Sequence, residues 1–432
     1  MAIIRHIRQS WAEIGNERLY SSLYIAGVAL SVSTVMVLSI MLYARLSPVY
    51  PELKRGRMMY VTDISVRYDR GYNWWGLSKW DLENWIDSMK TVDYYTAMTD
   101  NSTMEVRVGG GLDSYDAEVK GTDAGFFRVY DFVFTEGSPY TSADVGESLP
   151  KVVVADNFAR KMFGSAEGIA GREIYIDYEP YTISGVVRSA SSFMDSYADI
   201  YSARHNVSEG PLFLVGGYKA VLIPKEGVTW EQLNGELEVL KRPVEIKNEG
   251  LNLEINLFGQ PRSHYERTFV PSLSMPDDDD DDSGSSGRYL GYYVIVAAVL
   301  LFIPAMNLSG MIIGRMEQRR GEMGIRKSFG AQRSGLLWQV LVENFLLTMI
   351  GAAIGLVVSW VLVYVARDVV FSLIDPDMEI GSDTQLSMET YFSPGIFAIA
   401  LGVTLILNLL SSYIPAWWSL RHPIVKSLNE HR

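Results

Sequence analysis

The stretch that decides the fold of this chain is residues 307–333, NLSGMIIGRMEQRRGEMGIRKSFGAQR. An uncharged run of membrane length ends within it, and a second apolar run begins directly after it. Between the runs lies a short basic segment in which Gly321, Gly324 and Gly330 permit turns or close approach of the backbone. A basic helix held between two spans lies where a membrane protein can contact a cytoplasmic motor. The stretch therefore favours a transporter subunit over a soluble enzyme.

Four apolar runs in the chain are long enough to cross a bilayer, which takes about 20 residues. We predict transmembrane helices at 19–44, 289–314, 336–366 and 394–418, because a helix satisfies its own backbone hydrogen bonds in hydrocarbon. Buried helices of a soluble core are the alternative, but they would have to explain four such runs. The predicted fold class is a membrane α-helical protein with four transmembrane helices, one plus three, and a large α+β two-lobed exported domain.

Lys and Arg in the short loops set the predicted orientation, because cytoplasmic loops carry an excess of them. The segment 315–335 contains six Lys or Arg residues, whereas the loop 367–393 contains only Arg367 among several carboxylates. We therefore place 315–335 and both termini, including the tail 419–432, in the cytoplasm. The segment 45–288 and the loop 367–393 then lie outside.

The first residues, 1–18, have Ile4, Ile7, Trp11 and Ile14 at helical spacing among charged side chains. This pattern is typical of an amphipathic helix on the cytoplasmic membrane surface. A basic anchor with no other role explains the same residues equally well. The span that follows is no ordinary cleavable signal peptide, because its apolar run exceeds a signal core and no Ala-x-Ala site ends it.

The exported domain is predicted to be mixed α and β. A sheet lobe, about 57–120 and 216–276, is interrupted by an inserted lobe at about 121–215, because two β-α-β pieces lie far apart in the sequence. Ser78 and Thr229 are predicted to open capping boxes at the helices of the sheet lobe, the second helix ending at Leu240.

Strand-like patterns recur through both lobes, and the predicted strands are 58–68, 103–108, 115–120, 152–155, 172–178, 181–187, 218–223 and 251–257. The hairpin in the inserted lobe is predicted to turn at Glu179-Pro180. In the same lobe, Asp156 is predicted to cap a helix that runs to Phe163 and ends at Gly164.

Six consecutive aspartates, 277–282, open the segment 277–287, which continues with Ser and Gly. Like charges repel and Ser and Gly are flexible, so we predict a solvated acidic linker. A calcium site is the alternative, because Ca²⁺ takes carboxylate oxygens. Adjacent side chains in a run cannot all converge on one ion, and the spacing of a calcium loop is missing, which favours the linker.

Charge and residue types exclude several functions. The formal net charge is −13 and no basic patch lies in the exported domain, which argues against nucleic acid as a partner. The chain has neither cysteine nor a Gly-x4-Gly-Lys-Ser/Thr loop, so we expect no disulfide and no P-loop. Asp195, Asp199 and His205 are metal-binding types, but surface polar residues are the simpler interpretation. We predict no catalytic residue, no metal site and no cofactor in this chain.

Small residues in two spans predict close helix contacts. Gly351 and Gly355 form a small-xxx-small stripe in the third span, with a lipid-facing helix as the alternative. Gly27 and Ser31 offer a comparable face in the first span, suited to a dimer interface. Glu343 lies near the cytoplasmic end of the third span, where an ionisable group should find an Arg or water as an anchoring partner.

The basic segment carries guanidinium groups that can pair with carboxylates or with anionic lipid headgroups. Glu322 lies four residues before Arg326, so the two can pair on one helical face. A positive loop bound only to lipid explains this charge. It explains neither the glycines nor the interleaved apolar residues Met323, Ile325 and Phe329.

Residues 319–331, RRGEMGIRKSFGA, followed by QVLVEN at 339–344, resemble the signature of MacB/FtsX-type ABC transporter permeases. The family's usual pattern runs R-x-x-E-I-G-I-R-K-A-L-G-A and then Q-F-L-x-E. Met323, Ser328 and Phe329 are mild departures from it.

Other parts of the chain resemble the same family. Residues 152–164 and 181–186 are similar to its exported domain, and 413–428 is similar to its closing Y-x-P-A…P-x-x-A-L motif. Together with the one-plus-three spans, the likeness covers nearly the whole chain.

The resemblance implies a dimeric permease subunit of the bacterial inner membrane with a periplasmic domain, whose ATPase partner docks between spans two and three. The residues it assigns to this ATPase coupling are Arg319, Arg320, Gly321, Glu322, Gly324, Ile325, Arg326, Lys327, Gly330 and Ala331. ATP and magnesium would be bound by the partner chain. The macrolide exporter carries its ATPase fused at the N-terminus, whereas this chain begins with the basic helix, so we expect a separate ATPase subunit.

Family members serve macrolide and peptide export, lipoprotein release and control of cell-wall hydrolases. The expected function is efflux of antimicrobial or peptide/lipoprotein-type substrates by mechanotransmission. The alternative is a membrane-anchored regulator whose periplasmic domain controls an envelope enzyme. Besides the ATPase and the lipid bilayer, the resemblance implies a second permease copy or a paralogue, and it leaves open a periplasmic adaptor with an outer-membrane channel.

Overall fold

The structure is a computed structural model, and it describes residues 18–69, 71–109, 113–192, 194–203, 214–248, 252–269 and 332–365, with 295, 325, 328–329, 395, 397–399, 401–406, 409–410 and 413. The chain divides into two compact units. The exported unit comprises 45–290 and 383–387, and the membrane unit comprises 1–44, 291–382 and 388–432.

Two sheets form the frame of the exported unit. Their strands are β1 (Met59–Val61), β2 (Ile64–Tyr68), β3 (Gly71–Trp75), β4 (Val92–Val108), β5 (Ser114–Thr122), β6 (Phe134–Gly137), β7 (Lys151–Ala155), β8 (Glu173–Ile176), β9 (Glu179–Val187), β10 (Ile200–Ser202), β11 (Lys219–Pro224), β12 (Glu254–Asn256) and β13 (Arg262–Ser263). The larger sheet has ten strands in the order β13-β1-β11-β4-β5-β10-β7-β9-β6, with β8 beside β4 and β9, and the smaller has the order β12-β2-β3.

The ten-stranded sheet runs across the boundary that we predicted between two lobes. β4 is long enough to pair with β11 through Val92–Met98 and with β5 through Met98–Arg107, while its last residues pair with β8. β10, from the predicted insertion, then adds to β5 in parallel. The predicted strands 103–108 and 115–120 are therefore parts of one longer hairpin, β4–β5. Through this hairpin the strand pairing continues from the predicted sheet lobe into the predicted inserted lobe.

The predicted single strand 58–68 is divided between the two sheets. β1 pairs with β11 and β13, whereas β2 pairs with β3 and β12. The chain changes sheet at Thr62 and Asp63, where the side-chain oxygen of Gln260 accepts hydrogen bonds from both backbone amides. Apolar, strand-forming residues lie on both sides of the break, which is why the sequence predicts a single strand.

The helices within the described residues are α1 (Arg18–Leu46), α2 (Lys79–Asp81), α3 (Phe126–Val129), α4 (Ser142–Gly146), α5 (Asp156–Phe163), α6 (Trp230–Lys247), α7 (His264–Phe269) and α8 (Arg333–Val365). Both predicted capping boxes are confirmed, at Ser78 with Asp81 and at Thr229 with Gln232. A π-helical turn, Leu82–Ile86, continues α2. α6 extends beyond the predicted end at Leu240, because its apolar face continues to pack on the core through Val244.

Two local predictions in the inserted lobe are wrong. Asp156 is the first residue of α5 rather than its cap, and its carboxylate accepts hydrogen bonds from the backbone and hydroxyl of Ser189. The hairpin turns at Asp177 and Tyr178, whose φ values of 46° and 70° make a tight turn, so that Pro180 already lies in β9. The predicted end of α5 at Gly164, with φ 74°, is confirmed.

The core of the exported unit consists of three apolar clusters. One surrounds Trp85 and Leu237 beneath the smaller sheet, and another packs the aromatic rings of Phe126, Tyr130 and Tyr201 against the larger sheet. The third lies around α5. Each cluster draws on residues more than fifty positions apart, which holds the long connections of this unit together.

The membrane unit contains α1 and α8, which coincide with the predicted spans 19–44 and 336–366 to within three residues. Among the described residues, one helix, Leu337–Leu362, is long and apolar enough to cross a membrane, and Ser21–Val37 and Phe397–Ile406 are shorter apolar helices. The predicted span 289–314 lies outside the described residues apart from 295.

Candidate functional site

The predicted coupling segment, residues 315–335, is described before α8 at Ile325, Ser328, Phe329 and residue 332. Ile325 is helical and 52 % exposed, and its carbonyl accepts hydrogen bonds from the Phe329 amide at 3.2 Å and the Ser328 hydroxyl at 2.7 Å. Phe329 is 87 % exposed. The other predicted coupling residues lie outside the described residues: Arg319, Arg320, Gly321, Glu322, Gly324, Arg326, Lys327, Gly330 and Ala331.

The two glycines of the predicted stripe in α8 lie directly against α1. A Cβ atom on Gly355 would come within 2.6 Å of the Ala29 carbonyl oxygen and 2.8 Å of the Val32 Cβ atom. A Cβ atom on Gly351 would come within 2.7 Å of the Val28 Cβ atom. These distances are too short for any side chain, so the contact depends on the absence of one in α8.

The Ser33 hydroxyl adds a polar contact at the same place. Its oxygen lies 2.9 Å from the Gly355 carbonyl oxygen and 2.7 Å from the Ala29 carbonyl oxygen, so one proton is shared between the two helices. Ser33 is 1 % exposed. The sequence does not single out Ser33, because Ser31, Ser33 and Thr34 all carry hydroxyls and the rotation of α1 decides which of them faces α8.

The contact makes α1 and α8 a parallel pair. Val28 lies against Gly351 and Val32 against Gly355, so both helices advance in the same direction. Tyr24 and Leu347 belong to the same buried cluster, one turn before the first glycine contact. Because α8 begins directly after the coupling segment, both helices start from the side on which that segment lies.

Gly27 and Ser31, the predicted dimer face of α1, are not equally available. Ser31 is 4 % exposed within the single chain, and its hydroxyl donates to the Gly27 carbonyl oxygen at 2.8 Å. The exposed side of α1 carries Leu19 and Leu30, which are 71 % and 63 % exposed.

Polar side chains are buried in the half of α8 nearest the coupling segment. Glu343, Asn344 and Thr348 are at most 4 % exposed, and the Thr348 hydroxyl donates to the Asn344 carbonyl oxygen at 2.7 Å. On α1, Ser21 and Tyr24 are equally buried and lie at the corresponding level. Polar side chains are thus concentrated near the beginning of the pair, and close glycine contacts with the Ser33 hydrogen bond lie farther along. The Arg or water partner of Glu343 stays a prediction.

An apolar cavity of about 470 Å³ opens beside the first turns of α8, lined by Trp338, Leu341, Val342, Phe345, Leu409, Leu410 and Tyr413. Its almost wholly apolar walls suit hydrocarbon chains and offer no group for binding a charged ligand. Among the residues that the structure describes, no cluster of His, Asp and Glu is arranged to hold a metal ion.

Two family models match different parts of the chain. Residues 21–239, just over half of the chain, match the family model of the MacB-like periplasmic core domain. Residues 294–424 match the model of the FtsX-like permease C-terminal region. The two matches together reach from the beginning of α1 to the last apolar run.

Several curated proteins are similar over most of the chain. The macrolide export ATP-binding/permease protein MacB of Chromobacterium violaceum is 23% identical over 405 residues, which are 92% of this chain and 56% of that protein. The MacB protein of Agrobacterium fabrum is 20% identical over 419 residues, which are 95% of this chain and 58% of that protein. The chain thus spans little more than half the length of these relatives.

Solved structures resemble part of the chain. A domain of a permease protein from Porphyromonas gingivalis has a TM-score of 0.35 at 15% identity, covering 47% of this chain and 88% of that domain. The periplasmic region of MacB from Actinobacillus actinomycetemcomitans has a TM-score of 0.32 at 17% identity, covering 45% of this chain and 87% of that region.

Proposed function

This chain belongs to the ABC transporter permeases that join a MacB-like periplasmic core domain to an FtsX-like C-terminal region, and from that membership we propose a mechanical role for it. It is the membrane subunit that couples ATP hydrolysis in a separate ATPase subunit to movement of the periplasmic domain. The outcome is efflux of antimicrobial or peptide/lipoprotein-type substrates from the bacterial inner membrane. The permease dimer is formed with a second copy or a paralogue.

The contact between α1 and α8 is the observation that carries this proposal. The coupling segment leads directly into α8, and α8 packs through Gly351 and Gly355 on α1. α1 is one unbroken helix to Leu46, where the periplasmic domain begins. A displacement applied at the coupling segment can therefore reach the periplasmic domain through helices that have no room to slip past each other.

The proposed topology has four spans with both termini in the cytoplasm. The excess of Lys and Arg in 315–335 over 367–393 supports it. The parallel arrangement of α1 and α8 supports it too, because spans one and three must run in the same direction if every run crosses. The ATPase then docks on the same side of the membrane from which both helices start.

Copurification from native membranes tests the ATPase partner. The full chain is extracted gently and its bound proteins are identified by mass spectrometry, for the parent and for Glu322→Ala combined with Arg326→Ala. A stoichiometric ABC ATPase in the parent that is lost from the variant is expected. The matched control, Arg315→Ala with Glu317→Ala, removes the same charges from the same segment outside the signature and should keep the ATPase.

The bound proteins also decide between the two functions. An ATPase together with a periplasmic adaptor supports efflux, whereas an ATPase with a cell-wall hydrolase supports regulation of an envelope enzyme. If no ATPase is present in the parent sample, the chain acts without the proposed motor and the mechanical role is wrong. If the variant and the control lose the bound ATPase to the same extent, Glu322 and Arg326 are not specific to the docking surface.

A further inference from the structure

Two consecutive residues of the periplasmic domain contact segments that lie at opposite ends of its sequence. Asp195 and Ser196, here called the clasp, lie in the connection between β9 and β10. Ser196 binds the leading segment, residues 47–57, which follows α1, and Asp195 binds α7, the last described helix of the domain. Neither contact was visible in the sequence, where more than seventy residues separate the partners.

The leading segment is held through a buried carboxylate. The Ser196 amide and hydroxyl both donate to one oxygen of Glu52, at 2.9 and 2.7 Å. The other oxygen accepts from the Arg55 Nε atom at 2.7 Å, and the same guanidinium donates to the Ser47 carbonyl oxygen, the first after α1. Glu52, Arg55 and Ser196 are at most 3 % exposed, so water competes little for these bonds.

α7 is held through a two-pronged ion pair. Both terminal nitrogens of Arg267 contact the Asp195 carboxylate, one of them at 2.9 Å from Oδ1. The guanidinium also lies 4.8 Å from the centre of the Tyr60 ring in β1. Burial alone would raise the pKa of Asp195, but the charge and hydrogen bonds of Arg267 outweigh it, and the pKa lies below its ordinary value.

The clasp itself is fixed to the centre of the large sheet. The Lys120 amine, on β5, donates to the Asp195 carbonyl oxygen at 2.8 Å, and the Tyr201 hydroxyl, on β10, donates to the Ser196 carbonyl oxygen at 2.9 Å. β10 lies between β5 and β7, in the middle of the ten-stranded order. A force on the clasp therefore acts on the central strands of the large sheet rather than on its edge strands.

We propose that Asp195 and Ser196 are positioning residues that hold the leading segment and α7 at a fixed separation and deliver their movement to the central strand β10. The fixed distance between the leading segment and α7 depends only on contacts within the periplasmic domain. The idea that these segments are moved by an ATPase rests on the proposed function. A clasp of adjacent residues suits this task because neither segment can shift without pulling on the backbone to which the other is bound.

The test measures the distance between the two segments in the full chain. Because the chain has no cysteine, Leu53→Cys and Tyr265→Cys create the only two sites for spin labels, at residues 54 % and 49 % exposed. The parent, in lipid nanodiscs, is expected to give one narrow distance distribution. Arg267→Met removes the ion pair while keeping an unbranched apolar side chain over Tyr60, and the distribution is expected to broaden toward longer distances.

Arg107→Met is the matched control. Arg107 has a carboxylate partner, Glu105, and an aromatic partner, the Tyr178 ring at 5.0 Å, and its side chain is 33 % exposed against 29 % for Arg267. Its carboxylate, however, is two residues away on the same strand, so this ion pair joins no distant segments. The control should keep the narrow distribution, and Arg267→Lys, which keeps the charge without the fork, should lie between.

Thermal unfolding separates positioning from stability. A partly exposed pair contributes little to stability, so the midpoint should change little in Arg267→Met while the distance distribution broadens. A distribution that stays narrow in Arg267→Met, or broadens equally in Arg107→Met, overturns the inference. That result is independent of the ATPase, whose absence from copurified samples would refute the proposed function and leave the distance measurement intact.

Discussion

The α1–α8 contact and the clasp of the periplasmic domain join distant segments by opposite means. In the membrane unit the two helices pack closely because Gly351 and Gly355 have no side chains. In the periplasmic domain the contact is made by polar and charged groups, with Ser196 donating to the Glu52 carboxylate and Arg267 paired with Asp195.

The surroundings of each join account for the difference. Lipid tails are as apolar as the helices, so burial of apolar surface drives no association there and close packing must do it, with a hydrogen bond such as that of Ser33 adding about 0.6 kcal/mol. In an aqueous compartment a charged pair can hold segments together if every donor and acceptor is satisfied. The chain has no cysteine, so the periplasmic domain cannot use a disulfide for this purpose.

Removing the buried carboxylate that Ser196 binds should destabilise the periplasmic domain most. Glu52→Ala leaves Arg55, which is 3 % exposed, without its carboxylate, and removing one member of a buried ion pair costs about 3–5 kcal/mol. The Ser196 amide, which donates to Glu52, should then exchange its hydrogen more than about 100-fold faster in the full chain. Hydrogen exchange with mass spectrometry measures this rate.

Glu105→Ala provides the reference for that variant. Its side chain is 32 % exposed and pairs with Arg107 on the surface, so its loss should change stability little. If Glu52→Ala and Glu105→Ala change exchange near Ser196 to the same small extent, charge is not what holds the leading segment.

One charge at the clasp should oppose folding rather than favour it. Burial lowers the pKa of Lys120 from 10.5 to about 8. Below pH 8 the folded and unfolded chains both carry the proton, and burying the charge is fully unfavourable. Between pH 8 and 10.5 only the unfolded chain keeps the proton, so stability rises with pH through this window. Relative to Lys120→Met, the parent should gain about 3 kcal/mol across it.

Unfolding of the full chain at several pH values from 7 to 10.5 measures this difference. Lys151→Met is the control. The Lys151 side chain is 38 % exposed and pairs with Asp144, so the stability of this variant should follow that of the parent across the same pH range. Parallel stability curves for the parent and Lys120→Met would show that the amine is less confined than its position between β5 and the clasp indicates.

Gly355→Leu tests the close packing of α8 on α1. The new side chain would begin 2.6 Å from the Ala29 carbonyl oxygen, and overpacking of this kind costs about 1–3 kcal/mol. The midpoint of thermal unfolding of the full chain in detergent should fall accordingly. Gly335→Leu, in the same helix with nothing within 4 Å of its Cβ position, should leave the midpoint nearly unchanged. Equal midpoints would place the stripe against lipid.

Local features of this fold could be predicted from the sequence because their causes lie within a few residues. The capping box at Ser78 needs only Asp81, and the end of α5 at Gly164 needs only a residue that tolerates positive φ. The Gly351 and Gly355 stripe could be recognised by its spacing, although its partner helix could not.

Features that depend on distant partners could not be predicted. The strand-like pattern between 58 and 68 does not show where one strand ends, and the chain changes sheets where the side-chain oxygen of Gln260, 198 residues beyond Thr62, accepts from the Thr62 and Asp63 amides. Asp195 suggested at most a metal ligand, since Arg267 lies 72 residues away. The length of β4, and with it the continuity of the large sheet, follows from pairing with β11, β5 and β8 together rather than from its own residues.

The unbroken length of α1 has a geometrical consequence. Its 29 residues make a rod of about 43 Å, longer than the hydrocarbon core of about 30 Å. Tilting this rod by about 10° about one end carries the other end through about 7.5 Å. Because α1 lies against Gly355 of α8, the contact stays closed only if the two helices tilt together, and the displacement at the point where Leu46 meets Ser47 then exceeds the spacing of two β-strands.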